Sequence, residues 1–112
     1  MPIQNADYSN INFEEMAVAI GLKAKHIPML IASFLEESTE ALNSLQNAVE
    51  SRDFSDIHSA AHFIKGSAGN LRFNEVYEMS KEMELSAENS KEDFDYLGYF
   101  NAIKSSVETI PN

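Results

Sequence analysis

His58-Ser59-Ala60-Ala61-His62-Phe63-Ile64-Lys65-Gly66-Ser67-Ala68-Gly69-Asn70-Leu71 is the stretch on which the reading of this chain turns. At about 100° per residue, with His62 at zero, Ile57, Ala60, Ile64 and Leu71 fall within roughly 40° of the direction opposite His62, and Ala68 within about 60°. His58, Ser59, Lys65, Gly66 and Gly69 share the half of the wheel that holds His62. The spacing therefore predicts an amphipathic helix that buries its Ile-Ala-Leu face and turns His62 toward solvent.

The same periodicity extends in both directions. Glycine occurs four times and proline three times, and apolar residues recur at three-to-four spacing, so the chain reads as helical throughout. Asn12 is placed to cap a short first helix, with Glu15 three positions later and Gly21 as its stop. A long second helix is expected from about Lys25 to Ser51, with Pro28 tolerated in its first turn. Its core stripe is Ile27, Leu30, Ile31, Phe34, Leu35, Ala41, Leu42, Leu45, Ala48 and Val49. Asp53 is the expected cap of the third helix, with Asp56 near its positive end and Gly69-Asn70 as its terminator. Asn74 is expected to cap a fourth helix ending near Asn89. Ser90 with Asp93 is expected to cap a fifth, carrying Leu97, Phe100, Ile103, Val107 and Ile110. Connections of about two to five residues favour antiparallel neighbours. The expected fold is all-α: an antiparallel up-down four-helix bundle with a short extra N-terminal helix. One domain spans residues 1–112, with residues 1–11 and Pro111-Asn112 expected as loose ends.

Composition excludes several kinds of function. With no cysteine there is no disulfide, thiolate metal site or cysteine nucleophile. The apolar run Ile27 to Leu35 is interrupted by Pro28 and Ser33 and is too short to span a bilayer. Met1-Pro2-Ile3-Gln4-Asn5 does not begin a secretory signal, which makes a cytoplasmic protein the default. A formal charge of −10 repels nucleic-acid phosphates and anionic lipid, so neither nucleic acid nor membrane is an expected partner. A monomer is expected, since the fourth and fifth helices carry no second long apolar stripe.

Around His62 the neighbours are unusual for an idle surface histidine. Gly66 is an exposed mid-helix glycine, a choice that costs on the order of 1 kcal/mol relative to alanine. One turn after His62, it leaves the imidazole open to another protein's surface. Lys65, at i+3, sets a cation beside the ring within reach of a phosphoryl oxygen. A nucleophile, a cation and a clearance position on one turn make a phosphate-handling constellation. Phe63 and Phe54 flank His62 at about 100° and 80°, either bordering an interface or packing on neighbouring helices. Two rival readings stand beside this one. His58 and His62, at i and i+4, share a face as in helical zinc motifs, but H-E-x-x-H is not present and a third ligand is not evident. The other rival is a helical interaction module with no phosphotransfer.

His62-Phe63-Ile64-Lys65-Gly66-Ser67 closely resembles the H-x-x-K-G-S signature of histidine-phosphotransfer domains. The wider stretch is similar to free-standing relay proteins and to the phosphoacceptor domain of chemotaxis histidine kinases. Met83-Glu84-Leu85-Ser86-Ala87 resembles the family's L-E-x-x-A segment, and Phe34-Leu35-Glu36-Glu37 its long preceding helix. The resemblance covers roughly residues 25 to 110. It implies a phosphorelay intermediate of two-component signal transduction. It makes His62 the phosphoacceptor, Lys65 the source of phosphate electrostatics and Gly66 the clearance for a partner. It sets Glu84 where the family has Gln or Glu, either orienting the imidazole or standing as an ordinary solvated carboxylate. His58, Ser59, Phe63 and Gly69 become candidate partner-binding residues. The implied partners are a response-regulator receiver domain and a sensor or hybrid histidine kinase. No cofactor or metal of its own is expected, and Mg²⁺ is supplied by the receiver. The Met1 start favours a free-standing protein over a segment of a hybrid kinase. Two positions depart from the pattern: Arg72-Phe73 replaces small residues after the motif, and Glu88 stands where a basic residue is common.

An exposed imidazole suits this chemistry. An unperturbed histidine has a pKa of about 6.5, so at neutral pH the ring is mostly unprotonated and nucleophilic. The chain has no Gly-rich phosphate loop and no evident acidic Mg²⁺ cluster, which favours a carrier acted on by its partner over a self-sufficient enzyme.

Overall fold

A computed structural model describes residues 1–111, and these residues form helices with no strand among them. The α-helices are α1 (Phe13–Ile20), α2 (Ile27–Ser51), α3 (Phe54–Asn70), α4 (Asn74–Glu88) and α5 (Tyr96–Glu108), with a 3₁₀ turn at Ala24–His26 leading into α2. At 1.5 Å per residue, the 25 residues of α2 extend about 37 Å and set most of the 43 Å long dimension of the molecule. α3 packs chiefly on α4 and next on α2, while α5 closes against α4 and α2. Among the described residues no single helix is long and apolar enough to cross a membrane.

The helix starts follow the expected chemistry where a short polar side chain sits beside the first turn. Asn12 Oδ1 accepts the Glu15 amide, and Asp53 Oδ1 accepts the Asp56 amide at 3.1 Å. Gly21 ends α1 at φ 74°, the left-handed conformation a Cβ disfavours. The core stripe of α2 is buried at Ile27, Ile31, Phe34, Leu42, Leu45 and Ala48, with Ser38 among them. The Ser38 hydroxyl donates to the Phe34 carbonyl at 2.7 Å, which is how a polar residue sits there without an unmet bond.

The chemistry of the helix ends differs from expectation in places. α3 ends at Asn70, as expected, but neither Gly69 nor Asn70 takes the left-handed position, which falls to Arg72 at φ 64°. Phe73, next to it, is buried against Phe34 (ring centroids 5.1 Å) and Tyr8 (4.7 Å), so the bulky Arg72-Phe73 pair is part of the core closure. Asn74 is the first helical residue of α4, not its cap. Ser90 ends α4 in the left-handed region, its amide reaching the Ala87 carbonyl, and Asp95 caps α5 by accepting the Gly98 amide. The link from α4 to α5 is accordingly longer than the expected range, running over residues 89–95.

The later start of α5 also changes its buried face. Tyr96 falls between Phe100 and Ile103 on the wheel, whereas Leu97 lies about 60° beyond Phe100, away from the stripe. Tyr96, Tyr99, Phe100, Ile103 and Val107 are buried and Leu97 is 58% exposed. Ile110 is buried beyond the helix end.

The N-terminal segment is anchored where a loose end was expected. Tyr8 donates its amide to Thr109 Oγ1 at 2.8 Å and its hydroxyl to Glu75 Oε1 at 2.7 Å. The same hydroxyl accepts the Val76 amide at 3.3 Å, serving the start of α4 in place of a side-chain cap. Burial, with the Glu75 carboxylate, pushes this hydroxyl well above the ordinary tyrosine range. At the other end Pro111 is exposed, and Asn112 lies outside the described residues. Tyr8→Phe should keep the ring on Phe73 but lower unfolding free energy by about 1 kcal/mol, the usual net worth of such a hydrogen bond. Tyr8→Ala should lose more, because the aromatic packing goes too. Denaturant unfolding of both variants checks this, and an unchanged midpoint in both would mean the segment is not anchored.

Candidate functional site

α3 and α4 approach closely along faces that include small buried residues, Ala61 and Ala68 on one helix and Ser80 and Ala87 on the other. On the wheel of α4, Glu84 follows Ser80 by four positions and precedes Ala87 by three, so it falls on the buried stripe. Its side chain is only 8% exposed. Burying a carboxylate is unfavourable unless donors replace the lost water. Here α3 supplies them: Lys65 Nζ donates to Glu84 Oε1 at 2.6 Å, and His62 Nδ1 is hydrogen-bonded to Glu84 Oε2. His58 Nε2 lies 3.9 Å from that same Oε2, within ion-pair reach but beyond a hydrogen bond.

The electrostatics follow from these contacts. Burial acts to raise the Glu84 carboxyl, but the Lys65 ammonium and the His62 ring outweigh it and hold the group below its ordinary value. The Glu84 contact raises the Lys65 ammonium above the usual lysine value. An ionised carboxylate can only accept, so His62 presents Nδ1–H to it, which fixes the neutral ring in the tautomer with a free lone pair on Nε2. The His62 side chain is 65% exposed, so the ring that carries this nitrogen is open to solvent.

The buried face expected for the third helix is the one observed, at Ile57, Ala60, Ile64, Ala68 and Leu71, with Ala61 added to it. Lys65 is brought to Glu84 and is not a free cation beside the ring. Of the two readings of Glu84, the solvated carboxylate does not describe its position. Gly66 is exposed, and a Cβ built there would meet nothing within 4 Å. Gly69, by contrast, lies under Tyr77, whose Cδ2 would be 3.2 Å from such a Cβ. Its smallness therefore serves α3–α4 packing. Ser59 is exposed and donates to the Ser55 carbonyl at 3.2 Å. Phe63 is 45% exposed and borders an open groove of about 660 Å³ between α2 and α3. Phe54 packs instead, 5.6 Å from the Tyr96 ring, with the Arg52 guanidinium over both rings.

Sequence reasoning did not place Tyr77 over Gly69, and nothing in the local pattern distinguishes a tyrosine that covers a glycine from one facing solvent. The burial of Glu84 was available from the α4 wheel. His58 and His62 stack with rings 9° from parallel and centroids 6.2 Å apart. Among the described residues no group of three or more His, Cys, Asp or Glu side chains is arranged to hold a metal ion.

Two predictions arise from this geometry. Glu84, held below its ordinary value of 4.5, contributes stability that is present above that pH and lost as pH falls through the lowered value. Wild type should therefore melt above Glu84→Gln at pH 6, with the gap closing under more acid conditions; a gap constant from pH 6 to pH 3 would contradict the assignment. Gly66→Ala should leave the fold intact and raise stability by up to about 1 kcal/mol, since the new methyl meets nothing and helix propensity improves. Gly69→Ala should gain less or lose, because Tyr77 must move, and thermal melts compare the two directly.

The sequence profile of the family described as "Hpt domain" matches residues 29–110, which include α3, α4 and the whole His62–Lys65–Glu84 cluster. Among curated proteins and solved structures, none matches this chain.

Proposed function

The chain belongs to the Hpt-domain family, and from that premise we propose that it is a phosphorelay carrier whose acceptor atom is His62 Nε2. The observation that supports this most directly is that Glu84 engages Nδ1 while the His62 side chain as a whole is 65% exposed. The donor is the aspartyl phosphate of a receiver domain, or a histidine kinase; the next acceptor is a response-regulator aspartate.

In the step, the Nε2 lone pair attacks phosphorus, and the bond from phosphorus to the donor's oxygen breaks with its electron pair leaving on that oxygen. The ring becomes a phosphorylated imidazolium that keeps its Nδ1 proton. Glu84, already its partner, stabilises the positive charge without removing a proton, so the chain needs no general base of its own. Lys65 sits one turn from the acceptor on a flexible stem, and it turns part of its charge from Glu84 to the incoming phosphoryl oxygens. Gly66 leaves room for the receiver's loops to bring phosphorus in line. Mg²⁺ belongs to the receiver's acidic pocket, which carries the metal-assisted part of transfer. We read the four longer helices as an up-down bundle in one domain, working as a cytoplasmic monomer.

Incubation with a phosphorylated receiver should place acid-labile, base-stable label on His62, at Nε2, and His62→Gln should take none. No label from several competent donors would overturn the reading. Lys65→Ala should slow transfer roughly tenfold, the value of about 1.4 kcal/mol in a barrier, with a smaller effect on docking. Replacing Gly66 with glutamine should abolish receiver docking while circular dichroism and melting stay close to wild type; global unfolding would make the glycine structural instead.

A further inference from the structure

The groove between α2 and α3 lies open beside the acceptor, and the reading above gives it no occupant. Ala41, Ser44, Ala48 and Ser51 of α2 follow one another by alternating three and four positions along its wall. None of them, nor Ala60 opposite on α3, is large enough to fill the space, and about 660 Å³ is left. The edges differ in kind from the floor. Glu37 and Glu40 on α2 and Asp56 on α3 are all exposed. Among the described residues no lysine or arginine lines the groove or comes within 4.0 Å of those three carboxylates. Phe63 stands on the α3 edge, 45% exposed.

This surface runs on to the acceptor. On the wheel of α3, with His62 at zero, Gly66, Ser59 and Phe63 follow at about 40°, 60° and 100° on the α2 side. Lys65 and His58 lie on the other side, toward Glu84 of α4. Gly66 therefore opens the groove side of the ring.

The chemistry of the groove chooses among occupants. The Ser51 and Ser59 hydroxyls donate back to the Asn47 and Ser55 carbonyls of their own helices, so they are not held ready for a small polar ligand. Nucleic acid, anionic lipid and a second copy of this chain, with its formal charge of −10, would each bring negative charge to a negative rim. An apolar centre within a charged rim is the anatomy of a protein interface. Its complement is an apolar side chain ringed by lysine or arginine.

We propose that the α2–α3 groove seats the receiver domain, and that Glu37 and Glu40 select receivers whose docking face carries basic residues around an apolar side chain. The inference rests on the reading of His62 as a carrier served by receivers, and it adds what such a partner must look like.

Receiver binding followed by isothermal titration calorimetry tests it. The probe is the receiver of the same genome that labels His62 fastest or, where none labels it, the one that binds most tightly. Glu37→Lys with Glu40→Lys reverses the rim. Glu50→Lys with Glu108→Lys makes the same change in net charge at exposed positions outside the groove. Exposed charges act weakly one at a time, so reversing two together should raise Kd about tenfold near about 50 mM NaCl. That loss should fade toward about 1 M, where the Debye length is about 3 Å. Glu37→Gln with Glu40→Gln should fall between wild type and the Lys pair, and the control pair should stay within about twofold of wild type. Phe63→Ala should weaken binding at every salt concentration, because its contact is apolar. Circular dichroism should show all four variants folded. Equal weakening by the rim and control pairs would reduce the effect to net charge, and unchanged binding in the rim pair would put the receiver elsewhere; either result overturns the proposal. So would a dimer of the chain that the rim substitutions alter, since the groove would then belong to a second copy. Should wild-type His62 take no label from any receiver or from phosphoramidate, a small donor that needs no receiver, the carrier reading falls while calorimetry still decides the groove. Label on His62 with binding indifferent to the rim leaves the carrier reading standing and removes this one.

Discussion

A carboxylate held almost out of water between α3 and α4 governs both the packing and the chemistry of this molecule. Glu84 must be matched by donors, and α3 provides Lys65 and His62 from successive turns, so the cluster fixes how the two helices face one another. Removing one partner from such a buried pair is more damaging than its net contribution to stability suggests, because an uncompensated charge is left behind. The same constraint decides which ring nitrogen of His62 is available. An acceptor-only group on Nδ1 leaves Nε2 unprotonated in the neutral ring, and this is settled by the fold before any partner arrives.

Much of this was legible from residue spacing. The capped starts of α1 and α3, the stripe of α2 and the outward direction of His62 all follow from short-range rules in which a residue's role depends on neighbours within a turn or two. Asn12, Asp53 and Gly21 succeed for that reason. The misplaced features share the opposite property. Tyr8 is held by Thr109, Glu75 and Val76, partners 67 to 101 positions away, and no local signal announces a tyrosine as a substitute cap. Arg72 takes a left-handed conformation beside two glycine-and-asparagine positions that suit it better, because the burial of Phe73 against Phe34 and Tyr8 sets the path of the chain there. Around α5, Ser90 has the composition of an N-cap, but its left-handed backbone ends the preceding helix and leaves capping to Asp95.

Within the His62–Lys65–Glu84 cluster, the exposure of His62 was legible and the connections were not. Lys65 looked like a free cation because sequence shows it beside His62 and cannot show Glu84 arriving from another helix. Gly66 and Gly69 looked alike, both on the outward half of α3. Only the position of Tyr77 separates a glycine with open space above it from one that exists to let a ring pack.

On the carrier reading, this division of labour explains why the acceptor sits mid-helix. A loop would expose a histidine equally well, but it would leave the ring and its counter-ion free to drift, and phosphoryl transfer loses rate steeply with misalignment. Two packed helices hold the ring from behind through Nδ1 while its reactive edge stays clear. Access then has to be obtained within the helix itself, and an exposed glycine with nothing to pack against is the residue that provides it, at a propensity cost of about 1 kcal/mol. The helix gives up that stability at one position and recovers rigidity from the Lys65–Glu84–His62 cluster at the next. What it does not build is a pocket around phosphorus, and a site lacking one is suited to carrying a phosphoryl group between proteins that have one.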